Sequence, residues 1–367
     1  MVRSWSKGGL RSDRHRRKVC ILFNSRGGYA MRVLITGASG FTGFYVKRYL
    51  GDLAFPVEIR ALDIKCPPTS GAGEHYHCDL SDAAATMRLI EEISPDAVIH
   101  LAGVIRAGSC AQIYAVNVVA TLNLMEGIRC SLSEKCVRIL LVGSAAEYGA
   151  VGDDKLPVHE TEILHPVNHY GMSKMIMGLA ANRFALDHAL SLMRVRTFNL
   201  VGPGLPPSFV CGKIVNEAVD VYLGRKRFVE LVELESERDF VDVRDVASAY
   251  WSVLTAGEAG EVYNIGRGVG VRLPSVVEIV AGILGREIPV KIVGRTQNGR
   301  PMRSVADIRK ISTNTGWQPT IPLEKSIEDM LHFRFAELHE ESHCNYRGAF
   351  DSYGGKTRQP THNPPQA

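Results

Sequence analysis

One stretch, Met31 to Asp63, restricts the fold more than any other part of the chain. It reads MRVLITGASGFTGFYVKRYLGDLAFPVEIRALD. An apolar β-run, Val33-Leu34-Ile35, leads directly into Gly37, Gly40 and Gly43 at G-x-x-G-x-x-G spacing, and a helical pattern follows. Each glycine has a physical task. Gly37 lets the strand turn sharply, Gly40 lets backbone approach a pyrophosphate, and Gly43 lets the helix pack closely on a sheet. The helix N-terminus then offers free N–H groups and a partial positive charge to phosphates, with Phe41 and Thr42 in its first turn. A second strand, Val57 to Leu62, ends at Asp63, twenty positions after Gly43, where a carboxylate can accept bonds from an adenosine ribose. Three glycines alone often mark no more than a turn. Strand, glycines, helix, strand and acid in this order predict a dinucleotide site.

The 367 residues can hold one large α/β domain or two moderate ones. Strands and helices alternate from Met31 onward, which predicts a doubly wound parallel sheet. In that reading residues 31–200 form the dinucleotide-binding domain and 240–265 return to it. Residues 201–335 make a smaller α+β lobe of short, less regular elements, reached through Gly202-Pro203-Gly204. A short strand at His75 to Cys78 leads to Asp79-Leu80, a helix spans Ala83 to Ile93, and another runs through Asn117 to Arg129. Residues 339–367 lack apolar periodicity and are expected to form a disordered tail.

Residues 1–30 have a different texture. They hold eight Lys/Arg against the single acid Asp13, a net +7 against +4 for the whole chain, so residues 31–367 carry −3. A mildly acidic body argues against a nucleic-acid partner. The leader is expected to be disordered, or to lie ahead of a natural start at Met31. No apolar run reaches the ~18 residues of a membrane span. The eight cysteines form no C-x-x-C pair and no metal-ligand cluster, so no metal site is expected, and a reduced, cytoplasmic setting follows.

Catalytic chemistry is suggested by Tyr170 and Lys174, at i and i+4 on one helix face. A free tyrosine, with a pKa of about 10, is a poor acid–base catalyst at neutral pH. A nearby lysine ammonium is expected to lower that pKa by favouring the phenolate. Ser144, at the end of the strand Val137 to Val142, is placed to bond the substrate oxygen that Tyr170 protonates.

With these pieces together, the chain resembles the extended short-chain dehydrogenase/reductases that act on nucleotide sugars, over roughly 32–331. The resemblance rests on GASGFTG (37–43), Asp63, Asp79-Leu80, HLAG (100–103), Asn117, Ser144, Tyr170 with Lys174, Asn199 and RDFVDVRDVA (238–247). It implies a Rossmann sheet, NAD(H) as cofactor with NADP(H) as second candidate, and a homodimer. Asp63 favours NADH, because a carboxylate repels a 2′-phosphate. The resemblance further implies that Asp79 and Leu80 hold the adenine, that Leu101, Ala102 and Gly103 line the cofactor cleft with Asn117 beside them, and that Ala145, Asn199, Arg238 and Arg300 meet the nucleotide sugar. Within the family, VGSAAEYG (142–149) and FNLVGPG (198–204) are most similar to GDP-4-dehydro-6-deoxy-mannose reductases.

Two departures sharpen this expectation. The family's 4,6-dehydratases carry acids one or two positions after the active-site Ser/Thr, where this chain has Ala145 and Ala146, and alanine cannot move protons. Glu147 comes one step later, where alternation points it away from the substrate. What remains is hydride transfer at C4, as a reduction or as a 4-epimerisation. Where relatives often read R-P-G-D, this chain reads Arg300-Pro301-Met302-Arg303, which leaves the nucleotide base open.

Overall fold

The computed structural model describes residues 30–65, 73–232, 234–294 and 303–341. The basic leader, Arg300 and the chain beyond residue 341 lie outside the described residues. Seven strands form the central sheet: β1 (Met31–Thr36), β2 (Val57–Asp63), β3 (Glu74–His77), β4 (Ala97–His100), β5 (Arg138–Ser144), β6 (Ser191–Thr197) and β10 (Val262–Ile265). Their spatial order is β10-β6-β5-β4-β1-β2-β3, and every pair is parallel. After β3 the chain crosses back to the other side of β1. The order therefore reverses between β1 and β4, and the crevice at their carboxyl ends is where such sheets bind ligands.

The strand sequences explain this arrangement. In parallel sheets helices cover both faces, so strands are apolar throughout. All four residues of β4 are buried. Val33, Ile35, Ile99 and Leu140 point to one face, against helices Phe41–Gly51 and Val243–Ala256; Leu34, Val98, Ile139 and Leu141 point to the other, against Ala83–Ile93, Ala120–Ser131 and His169–Asp187. The period of two along each strand separates two cores. Truncating a fully buried residue such as Leu140 to Ala would cost about 2–5 kcal/mol.

A third core lies beyond β6. It joins β7 (Asn199–Val201), β8 (Val229–Leu231), β9 (Glu237–Asp242) and β11 (Gly270–Arg272) with helices Val210–Tyr222, Leu273–Leu284 and Leu323–Glu341, while β12 (Val290–Ile292) pairs with β8 and β13 (Arg303–Ser304) with β9. The chain between these pieces goes back to the large sheet: helix Val243–Ala256 and strand β10 pack in the first core. Asp239, fully buried, ties this region together by accepting from the backbone N–H groups of Arg267 (2.7 Å), Gly268 (2.8 Å) and Ala306 (3.1 Å). Burial pushes its carboxyl up to about 6 against the pull of those three donors.

The structure corrects several sequence expectations. The region after Asn199 does have short strands, of two to six residues, but its apolar residues also recur at helical spacing and form regular helices of 12 to 19 residues. Residues 339–341 belong to the last helix rather than to a tail. The helix expected from Asn117 to Arg129 starts earlier, at Cys110, and passes through a π-turn at Ala115–Val119 before continuing to Ser131. No helix among the described residues is long and apolar enough to cross a membrane.

Candidate active site

The glycine turn after β1 is built from backbone. Gly37 has φ of +69°, and a Cβ there would stand 2.7 Å from the Ala102 nitrogen. A Cβ on Gly43 would meet the Gly37 and Ala38 carbonyls at 2.7 Å. Gly37 thus needs both its left-handed backbone and its missing side chain. Helix Phe41–Gly51 begins with no side-chain cap and no acid in its first turn. Its first N–H groups lack intrahelical partners and stand ready for an anion. Asp63 closes the other side of the crevice, with one oxygen on the Ser39 N–H (2.9 Å) and the other on the Lys65 N–H (3.0 Å). A cradle that Cβ atoms would fill, an open helix terminus and a carboxylate at the next strand end fit a dinucleotide.

The turn after β5 is built from side chains. Ser144 caps a short 3-10 turn, Ala145–Glu147, and its Oγ accepts the Ala146 N–H at 3.2 Å. The Glu147 carboxylate folds back to accept the Ser144 N–H at 2.9 Å. The next long helix, His169–Asp187, is capped by Asn168, whose Oδ1 accepts the Gly171 N–H at 2.8 Å. Gly171 lies against the Ala146 carbonyl, where a Cβ would overlap it. This close approach brings Tyr170 and Lys174 up to Ser144. Lys174, 4 % exposed, donates to the Val142 carbonyl at 3.0 Å.

The charges here differ from the sequence expectation. Tyr170 is not lowered: burial pushes its hydroxyl up, a hydrogen bond with Ser144 pulls it down, and Glu147 pushes it up further. Burial lowers Lys174 to about 8, with Glu147 working in the opposite direction. Desolvation at both groups outweighs the pairing that i, i+4 spacing suggests.

These groups open onto a cavity of about 470 Å³ at the carboxyl edge of the sheet. Thr42, Leu101 and Gly103 line it together with Ser144, Ala145, Tyr170 and Lys174, and with Asn199 of β7 and Arg238 of β9. Gly37, Gly40, Phe41 and Gly43 stand behind this wall as the turn that carries Thr42, and Asp63 lies at its outer end. Ala102 donates its N–H to Thr36 Oγ1 at 3.2 Å, which holds the β4 loop to β1. Asp79 caps the turn it opens by accepting the Ser81 N–H, while Leu80 is buried in the second core of the sheet. Asn117 is not on the cleft wall. It is fully buried, with Oδ1 on the Val104 N–H (2.8 Å) and Nδ2 on the Val104 carbonyl (3.0 Å) and Ser173 Oγ (2.8 Å), so it shapes the Gly103-Val104 loop from behind. Arg300 lies outside the described residues.

The partners of several further residues could not be read from the sequence. Arg303 bonds Glu237 (2.6 Å) and Asp153 (3.2 Å), joining β13 to β9 and to the loop after β5. Tyr250 and Thr197 exchange a buried hydroxyl bond of 2.8 Å on the cavity wall. Glu147 pairs with Arg196 at 2.9 Å, both nearly buried. A signal for this pair was present: β6 reads Ser-Leu-Met-Arg-Val-Arg-Thr, and an arginine inside a central strand needs a buried partner.

Comparison with known proteins agrees with this construction. A GDP-6-deoxy-D-mannose reductase of Pseudomonas aeruginosa is 29% identical over 316 residues, covering 84% of this chain and 99% of the relative. The solved structure of RMD from Pseudomonas aeruginosa complexed with NADPH superposes with a TM-score of 0.74 at 28% identity, over 84% of this chain and all of that one. A UDP-glucose 4-epimerase of Thermus thermophilus, solved with NAD, gives 0.71 at 26% identity over 83% of this chain and all of that one. The family model described as GDP-mannose 4,6 dehydratase matches residues 34–330. The chain belongs to that family of nucleotide-sugar-modifying enzymes.

Proposed function

We propose that the protein uses NADH, or alternatively NADPH, to reduce the C4 keto group of a 4-keto-6-deoxy nucleotide sugar, with GDP-4-dehydro-6-deoxy-D-mannose as the substrate. The observation that carries this reading is the meeting of Ser144, Tyr170 and Lys174 on one cavity wall, beside a glycine turn that fits a dinucleotide. Ala145 and Ala146 complete the argument. The family takes its name from a dehydratase, yet the two residues after Ser144 have no group able to move a proton.

When bound, the reduced nicotinamide supplies hydride. The chain's own residues supply the rest. Tyr170, whose hydroxyl bonds Ser144, donates its proton to O4. Ser144 Oγ accepts the Ala146 N–H, and its O–H turns from Tyr170 to the sugar oxygen to polarise the carbonyl. Lys174 stabilises the phenolate left behind and binds the nicotinamide ribose. Asn199, Arg238 and Arg300 hold the diphosphate, and Asp63 holds the adenosine ribose.

Similarity to the Thermus thermophilus epimerase supports a second reading, a nucleotide-sugar 4-epimerase with the same three residues. Nicotinamide absorbance distinguishes the two. Stoichiometric loss of NADH on mixing with GDP-4-dehydro-6-deoxy-D-mannose supports the reductase. No loss, with NAD retained through purification, supports the epimerase. In either case Tyr170→Phe should lower turnover by about 10³-fold while leaving cofactor binding intact. Near-native turnover in that variant would overturn both readings.

A further inference from the structure

Glu147 does not line the cavity, yet it lies directly beneath its catalytic corner. Its side chain is 5 % exposed. One oxygen takes the Ser144 N–H and the other the Arg196 Nε–H, both at 2.9 Å. The folded-back carboxylate occupies the place where a side chain at Gly143 would begin. Arg196 is held in turn by the Tyr148 hydroxyl (2.9 Å), the Glu160 carbonyl (3.0 Å) and the face of the Tyr148 ring (4.7 Å).

Lys174 has no such partner. Among the described residues its Nζ donates to the Val142 carbonyl and to Met177 Sδ at 3.8 Å, and no carboxylate is paired with it. Burial alone would favour loss of its proton. We propose that Glu147 is a positioning residue of this site: its carboxylate fixes the Ser144 peptide from below and is the buried negative charge that keeps Lys174 an ammonium. This rests on the reading of Ser144, Tyr170 and Lys174 as the catalytic group.

The surrounding charges agree with this assignment. Glu147 is faced by Arg194 and Arg196 from β6, by Tyr170 and Lys174 from helix His169–Asp187, and by Tyr148 on its own turn, with buried Glu160 beyond Arg196. Lys174 is faced by His100 from β4 and lies with the Asn117 Oδ1 against Gly103. Burial lowers His100 to about 3, so it stays neutral between Thr36 Oγ1 and Thr121 Oγ1. Lys174 Nζ stands on the Val142 carbonyl and Glu147 Oε1 stands against the next residue, Gly143, and the Glu147 charge favours the Lys174 proton. A buried ion pair is a weak source of stability in itself. Its place beneath Ser144 and Lys174 is a reason for this one to exist.

The test is the titration of Lys174 in cofactor-free full-length protein carrying ¹³C-labelled lysine, with its resonance assigned by loss in Lys174→Arg. In the double variant E147Q/R196Q, the amide introduced at position 147 still accepts the Ser144 N–H, so that bond persists while both charges are gone. Its Lys174 midpoint should fall about one pH unit below the native midpoint, about tenfold in proton affinity. The alkaline limb of kcat/KM should move with it. R196Q alone keeps the Glu147 charge and removes its counter-charge, so its midpoint should not fall. Should the pair fail to fold, E147Q alone should move the midpoint in the same direction. An unmoved midpoint without the Glu147 carboxylate, or an equal shift in R196Q, overturns the proposal. Failure of the catalytic reading is separate: an active Tyr170→Phe enzyme would refute that reading whatever Lys174 does.

Discussion

Two turns at the same edge of the sheet handle their polar groups in opposite ways. After β1, the chain enters a helix with no cap and no side chain at its critical positions, and leaves the first N–H groups open. After β5, the chain enters a 3-10 turn in which Ser144 and Glu147 satisfy each other's backbone. The first turn suits a ligand that brings its own negative charge. On the proposed reading the second presents one hydroxyl at a fixed angle to a neutral carbonyl, and its other polar groups are satisfied internally. An open terminus binds; a closed one aims.

Substitutions can break this contrast. The largest effect should come from Gly37→Ala, where left-handed backbone and the 2.7 Å approach of Ala102 combine. It should cost more than about 3 kcal/mol of stability and abolish measurable NADH binding, read by thermal melting and fluorescence titration. Ser144→Ala should lower kcat about a hundredfold while costing only about 1 kcal/mol of stability. Equal losses in kcat and stability would show that the second turn is only structural. The smallest effect should come from Asp63→Asn, which removes a charge from the end of the cradle. The ratio of NADH to NADPH use should fall by about tenfold, measured from kcat/KM with each cofactor. An unchanged ratio would mean that backbone alone selects the cofactor.

The same contrast explains what could be read from the sequence. Gly37, Gly40 and Gly43 act through the absence of side chains, and local spacing records that directly. Tyr170 and Lys174 were legible because a helix places i and i+4 on one face. The Glu147–Arg196 pair was not, since it joins a turn and a strand 49 positions apart, and alternation could say only that Glu147 avoids the substrate. The direction of the Tyr170 shift was missed because it depends on desolvation, which requires a packed neighbourhood rather than a spacing. The helices beyond Asn199 were misread as irregular because glycines and prolines at 202–207 dominated the local texture.

The threading of the chain bears on how this protein could be re-engineered. The core around β9 draws on stretches near 200–240, 271–288 and 323–338, while 243–265, Ile311 and Trp317 belong to the large sheet. Tyr45, on the helix that follows the glycine turn, also donates to the Pro203 carbonyl at 2.8 Å. No single cut therefore exchanges this lobe for another. A chimera must replace several segments together and keep both the helix at 243–256 and the Tyr45 contact, so changes of specificity are more readily reached by point substitution on the cavity wall than by recombination.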